Sequence, residues 1–255
     1  MTSNILILGG TTEARRLAER LAARADTVTT LSLAGRTTAP VEQGVPVRVG
    51  GFGGAAGLAE HIRNAGIDLL VDATHPFAEL ISTNAVAAAA DASVPLVVLR
   101  RPPWRAVAGD RWTEVDRVEN VPATLGEAPR RVFLALGRQE LAPFEKAPQH
   151  SYVIRSIEPV APPLAVPEAL YITARGPFDE AGDTALLREH RIEVVVTKNS
   201  GGEASYGKIA AARALGLEVV MVRRPPLAAE GAVSTVEAAI EEIDHRLASR
   251  APRGV

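Results

Sequence analysis

Asn4-Ile5-Leu6-Ile7-Leu8-Gly9-Gly10-Thr11-Thr12-Glu13-Ala14 is an apolar strand pattern that runs into two glycines and then into a helix start. Paired glycines let a backbone come close to a pyrophosphate. The first turn of a helix beginning at Thr11 or Thr12 offers free amides and the positive end of the helix dipole. The spacing is not Gly-x-Gly-x-x-Gly, so a tight turn capped by threonine accounts for the same residues.

Short β-rich runs alternate with alanine-rich amphipathic stretches from this point outward, the pattern of a parallel sheet with helices on both faces. The first half predicts strands near residues 4–8, 28–33, 45–49, 67–72 and 96–100, and the second near 132–136, 152–157, 170–174, 193–197 and 219–223. The halves correspond: Ile5 and Val132 are 127 residues apart, Asp72 and Lys198 126, Arg100 and Arg223 123. Both fifth strands run into the same tetrapeptide, Arg100-Arg101-Pro102-Pro103 and Arg223-Arg224-Pro225-Pro226. Each is followed by a strand-like segment (112–115, 232–234) whose sheet the sequence leaves open.

The expected fold is therefore α/β, with two Rossmann-like doubly wound domains related as a degenerate repeat and a cleft between them. The expected division is a nucleotide domain over 1–101, a linker or closing loop over 102–112 carrying Trp104, and a second domain over 113–255 whose terminal helix is free to pack across the boundary. At about 150 residues per domain, 255 residues suit two small units.

Ligands of open parallel sheets bind beyond the carboxyl ends of the strands, near the switch in strand order. In the first half this selects Gly9, Gly10, Thr11 and Thr12. The second strand ends Leu31-Ser32-Leu33-Ala34-Gly35-Arg36 without the acid that an NAD ribose favours, whereas Ser32 and Arg36 suit a 2′-phosphate. NADPH is the expected cofactor. Gly51, in Gly50-Gly51-Phe52-Gly53-Gly54, leaves room for a nucleotide; a flexible loop explains it as well. After the fourth strand, Asp72-Ala73-Thr74-His75-Pro76-Phe77 places Thr74 and His75 at the nicotinamide end, with His75 a candidate proton-transfer group and Asp72 a brace.

The second half has different loop chemistry. Gly137-Arg138-Gln139-Glu140 replaces the second glycine with arginine, and Thr197-Lys198-Asn199-Ser200-Gly201-Gly202 occupies the fourth-strand loop. With Arg155, Arg175 and Lys208 these residues suit a polycarboxylate, although any one of them reads equally as a solvated surface charge.

Composition narrows the chemistry. A net charge of −2 and 4% aromatic residues do not favour a nucleic-acid partner. Absence of cysteine removes disulfides, thiolate catalysis and cysteine metal sites. The histidines His61, His75, His150, His190 and His245 show no metal-ligand spacing, so no metal is expected. No apolar run reaches 18 residues and no leader pattern precedes the first strand, giving a cytoplasmic expectation with no membrane partner. Tyr206 and Lys208 lie two apart, not the four of a Tyr-x-x-x-Lys pair, so that dehydrogenase pair is absent; Tyr206 joins His75 as a catalytic candidate, neither is compelled by the sequence, and bound water is an alternative proton donor. Only three lysines occur against 25 arginines; codon bias explains the total but not the placement.

Taken together, ILILGGTTEARRLA (5–18), VDATHPFA (71–78), LALGRQEL (134–141), TARGPF (173–178), VTKNSGG (196–202) and KIAAARALGLEVVMVRRP (208–225) resemble the precorrin-6A reductase family of cobalamin biosynthesis over nearly the whole chain. The resemblance implies NADPH-dependent reduction of one macrocycle double bond, precorrin-6A to precorrin-6B. It carries over Gly9, Gly10, Thr11 and Thr12 as dinucleotide contacts and Lys198, Asn199, Ser200 and Gly201 as cleft residues. The substrate's acetates and propionates match the basic set of the second half. Transient contact with neighbouring pathway enzymes is the protein partnership it suggests. Two other readings stay open from the residues alone: a non-catalytic NADP-sensing module, and an NADPH reductase of another polycarboxylate.

Overall fold

The computed structural model describes residues 2–35, 44–226 and 231–250. The chain divides into one unit of Met1–Pro102 with Pro225–Val255 and a second of Pro103–Arg224.

In the first unit, β1 (Ser3–Leu8), α1 (Thr12–Ala22), β2 (Thr27–Leu33), β3 (Val47–Val49), α2 (Ala55–Asn64), β4 (Leu69–Asp72), α3 (Glu79–Asp91) and β5 (Leu96–Val98) build a sheet of order β3-β2-β1-β4-β5. All its pairings are parallel. Alternation along β1 explains its unbroken apolar run. Ile5 and Ile7 pack with Leu17 and Leu21 of α1, while Leu6 and Leu8 pack with Leu58 and Ile62 of α2. On α1, Ala14, Leu17, Ala18 and Leu21 are the buried stripe, at the i, i+3, i+4, i+7 spacing of one helix face.

The second unit contains β6 (Arg111–Val115), α4 (Val121–Leu125), β7 (Arg131–Ala135), β8 (Ser151–Ser156), β9 (Ala169–Thr173), α5 (Glu180–Glu189), β10 (Val194–Lys198), α6 (Gly207–Leu215) and β11 (Glu218–Val222). Its order, β6-β11-β10-β7-β8-β9, repeats that of the first sheet, β7 standing where β1 stands and β10 where β4 stands. All ten expected five-strand positions are occupied by strands, within three residues at either end.

The sixth segments exchange sheets. Arg111–Val115, which follows the first half's fifth strand, pairs with β11 of the second sheet. After Arg224 the chain returns: Val233 bridges Leu99 beyond β5, and α7 (Val236–Arg250) places Val236, Ala239 and Ile243 in the core shared with α1. The expected 113–255 domain therefore differs from the observed unit, because the apolar face of α7 is buried on the first sheet.

The expected linker is not a free connector. Trp104 is 9% exposed within the second unit's core. Its backbone N–H and carbonyl both bond the Asn199 side chain, at 2.8 and 3.0 Å, and its indole N–H donates to the Gly202 carbonyl at 2.8 Å. Burial of the indole fixes this stretch as part of the second unit.

His150, 1% exposed, accepts the Arg130 amide at Nδ1 over 3.2 Å. Burial holds its pKa below the ordinary imidazole value, opposed by the Gly126 carbonyl and reinforced by the Arg130 charge. A depressed histidine pKa means that the unfolded chain binds the extra proton. The stabilisation is complete above the unfolded pKa of about 6.5 and is lost as pH falls through the folded value. Thermal melts between pH 7.5 and 5 should therefore show a falling Tm, and His150→Asn, which keeps an acceptor near Nδ1, should flatten that slope. An unchanged slope would assign the acid sensitivity elsewhere, His61 being another histidine whose pKa burial lowers.

Candidate active site

The glycine loop after β1 is shaped by two different constraints. A Cβ on Gly9 would stand 2.6 Å from Leu31 Cδ1, so Gly9 permits close packing of turn against strand. Gly10 has φ +115° and nothing within 4 Å of where its Cβ would be. The second position is thus open on its outer side. Thr11 caps α1, accepting the Ala14 amide at 3.1 Å while donating its hydroxyl to the Ala73 carbonyl at 2.8 Å. That hydroxyl ties the β1 turn to the β4 loop, and the Thr12 and Glu13 amides of the first turn have no intrahelical acceptor.

Ser32 is buried at the end of β2, with its carbonyl accepting the Gly9 amide at 2.9 Å. Arg36, the expected partner of a 2′-phosphate, lies outside the described residues. Gly51 is exposed, and its carbonyl and that of Gly50 accept from Arg48, whose guanidinium stacks 3.8 Å over Phe52. The loop after β3 is accordingly pinned to Arg48, a contact that the glycine pattern alone does not reveal.

Thr74 is turned inward. Its amide and hydroxyl both donate to Asp72 Oδ1, at 3.0 and 2.6 Å, and its oxygen lies 3.4 Å from Ser82 Oγ. Asp72 is the brace, and the Thr74 side chain serves the loop where cofactor contact was expected. His75 Nδ1 accepts the Phe77 amide at 3.3 Å, which leaves the proton of the neutral ring on Nε2.

In the second unit the carboxyl ends of β7 and β10 meet at Glu140 and Lys198. Lys198 Nζ lies 2.7 and 2.8 Å from the two Glu140 oxygens, and Oε2 also accepts the Gly137 amide at 3.1 Å. Arg138 is exposed on the adjoining turn, and Arg175 is exposed past β9. Ser200 and Gly201 follow in the same loop, whose carbonyls at Asn199 and Ser200 are held by Arg224 at 2.6 and 2.7 Å.

Three expected substrate-binding groups and one catalytic candidate, Tyr206, have partners within the protein. Arg155 is buried in an ion pair with Asp183 and sandwiched by Phe178 and Phe133. Asn199 spends its amide on Trp104. Lys208, 4% exposed, donates to the Ser205 carbonyl at 2.6 Å and lies 4.9 Å from the Trp104 ring. The Tyr206 oxygen accepts from Arg213, itself fixed by Asp110. Sequence reasoning credited their charge and polarity without seeing the partners Asp183, Trp104 and Asp110, none of which is marked by a local spacing.

Two parallel sheets of repeated topology, one with an open glycine turn and the other with a lysine–carboxylate loop at the equivalent edge, define a doubly wound α/β protein. The family model described as "Precorrin-6x reductase CbiJ/CobK" matches residues 4–244, and the chain belongs to that family of reductases. It is 57% identical over 244 residues to a precorrin-6A reductase of Sinorhizobium sp, covering 96% of this chain and 94% of that protein. Against the precorrin-6A reductase of Rhodobacter capsulatus it is 48% identical over 254 residues, with 99% and 100% covered. A cobalt-precorrin-6A reductase of Priestia megaterium is 29% identical over 257 residues, with 96% and 98% covered. A solved structure of "CobK precorrin-6A reductase" matches with TM-score 0.93 at 47% identity, covering 100% of both chains.

Proposed function

We propose that this enzyme reduces precorrin-6A to precorrin-6B with NADPH in cobalamin biosynthesis. The supporting observation is the full-length relation to proteins named precorrin-6A reductase, combined with an open Gly10 turn that fits a pyrophosphate. The metal-free ring is favoured, because the relatives named for it are 41–57% identical and those named for the cobalt form 29%.

When bound, NADPH supplies a hydride to one carbon of the conjugated macrocycle, and the neighbouring carbon takes a proton. Gly10 and the amides of Thr11 and Thr12 hold the pyrophosphate, Thr11 through its backbone only, while Gly9, whose amide donates to the Ser32 carbonyl, lets the turn pack on Leu31. Ser32 and Arg36 select the 2′-phosphate. His75, bearing its proton on Nε2, is the donor this loop offers, while the Tyr206 oxygen is engaged with Arg213. Arg138 and Lys198 bind carboxylates, with Glu140 holding the Lys198 ammonium in position.

Supplying precorrin-6A anaerobically and following NADPH absorbance tests the reading. Stoichiometric oxidation and a product two mass units heavier are expected (one hydride and one proton). NADP+ binding without oxidation would instead establish a sensing module. Arg36→Ala should raise the KM for NADPH about tenfold, roughly 1.4 kcal/mol, while NADH is little affected. An unaltered cofactor preference would remove Arg36 from the site.

A further inference from the structure

The two Arg-Arg-Pro-Pro segments supply four arginines, and three of them have carboxylate or carbonyl partners. Arg101 pairs with Glu13 at 2.5 Å, Arg223 with Asp116 at 2.5 Å, and Arg224 bonds the Asn199 and Ser200 carbonyls. Arg100 differs. Among the described residues its guanidinium makes one hydrogen bond, from Nη2 to Ser82 Oγ at 3.3 Å, out of five N–H donors, and no ion pair. None of its nitrogens is a sealed, unpartnered atom, so the spare donors reach solvent.

The charge is not at ease there. Half-burial lowers the pKa of Arg100, and Asp72 opposes the shift from a distance. Asp72 makes no ion pair with it among the described residues, and its Oδ1 accepts from the amide and hydroxyl of Thr74. The position is fixed by backbone: the Arg100 amide donates to the Val233 carbonyl at 2.8 Å, and the preceding Leu99 amide donates to the Asp72 carbonyl at 2.9 Å. The result is a half-buried guanidinium, anchored by its own main chain at the carboxyl edge of the sheet, whose remaining donors are open to an oxyanion.

We infer that Arg100 is an oxyanion subsite of the first unit that takes a carboxylate of the tetrapyrrole; this rests on the proposed function. The alternative source of an oxyanion is the nucleotide. Its pyrophosphate belongs at the β1 turn, and β5 stands two strands away in the order β1-β4-β5, roughly 10 Å at about 4.8 Å per strand. A phosphate seated on the α1 amides is therefore already provided for, whereas a substrate carboxylate is not.

Calorimetry on the full-length protein tests this, with NADP+ and precorrin-6A titrated separately into wild type, Arg100→Gln and Arg100→Lys. The expected result is a precorrin-6A Kd raised about tenfold in Arg100→Gln, partly restored in Arg100→Lys, and an NADP+ Kd within about twofold of wild type. Binding should also lose part of its salt dependence in Arg100→Gln, a change that a purely structural role would not produce. Weakened NADP+ with unchanged precorrin-6A would overturn the carboxylate assignment in favour of a phosphate. No change for either ligand would overturn the subsite. If Arg100→Gln fails to fold, the Arg100→Lys comparison decides: affinity and salt dependence both at wild-type values would reject a role for the guanidinium's additional donors. Because binding is read directly, a wild type that binds precorrin-6A without reducing it defeats the reductase reading alone, and one that does not bind it defeats both.

Discussion

Asp183→Ala is expected to destabilise the second unit by about 3–5 kcal/mol, a fall in Tm of roughly 10–15 °C. Asp183 and Arg155 are 3% and 6% exposed at their side chains, and the guanidinium donates to both carboxylate oxygens. Phe178 covers the guanidinium at 3.6 Å and Phe133 lies 5.0 Å from it. Removing the carboxylate strands a buried cation for which the aromatic faces compensate only in part, which costs far more than the lost attraction. Replacing both partners, as in Arg155→Met with Asp183→Leu, should recover most of the stability, since well-packed apolar groups often match a buried pair. The double variant also separates two roles for Arg155. A folded protein with an unchanged KM for precorrin-6A makes the residue a tie between β8 and α5. A KM raised tenfold in that stable background would return Arg155 to the substrate.

The contrast between Arg155 and Arg100 shows what sequence conveys and what it withholds. Both are arginines at or just past a strand, Arg155 isolated and Arg100 the first of an Arg-Arg pair, and nothing local marks which of the two has an acidic partner. The partner of Arg155 lies 28 residues on, across a helix start capped by Asp179. Asn199 and Trp104 are 95 residues apart. Side-chain pairing of this kind is a product of the fold, so a count of basic residues near a ligand edge overstates how many are available. The strands were legible because parallel sheets covered on both faces require continuous apolar runs, and the order of loops followed from the repeat. The exchange of the sixth segments was not, because Arg111–Val115 meets its partner strand more than a hundred residues away and no short-range signal chooses the sheet.

The glycine turn is where sequence and structure divide one motif into two functions, and this gives the largest expected effect on activity. Gly10→Ala should weaken NADP+ binding by at least about tenfold, with NADPH-dependent turnover falling in parallel at low cofactor concentration. Alanine at φ +115° carries backbone strain of about 1–3 kcal/mol, which the loop relieves by moving away from the geometry that presents its amides. Nothing in the protein within 4 Å would collide with the added methyl, which would fill open space at the turn where the pyrophosphate is proposed to sit. Gly9→Ala is the matched control. Its methyl would press on Leu31 Cδ1 at 2.6 Å, in the core under α1, and should lower Tm chiefly by displacing that side chain. Measured together by calorimetry and thermal melting, the pair should split: affinity lost first at Gly10, packing lost first at Gly9. Equal affinity in wild type and Gly10→Ala would show that the pyrophosphate does not use this turn, and would remove the structural support for a nucleotide in the first unit.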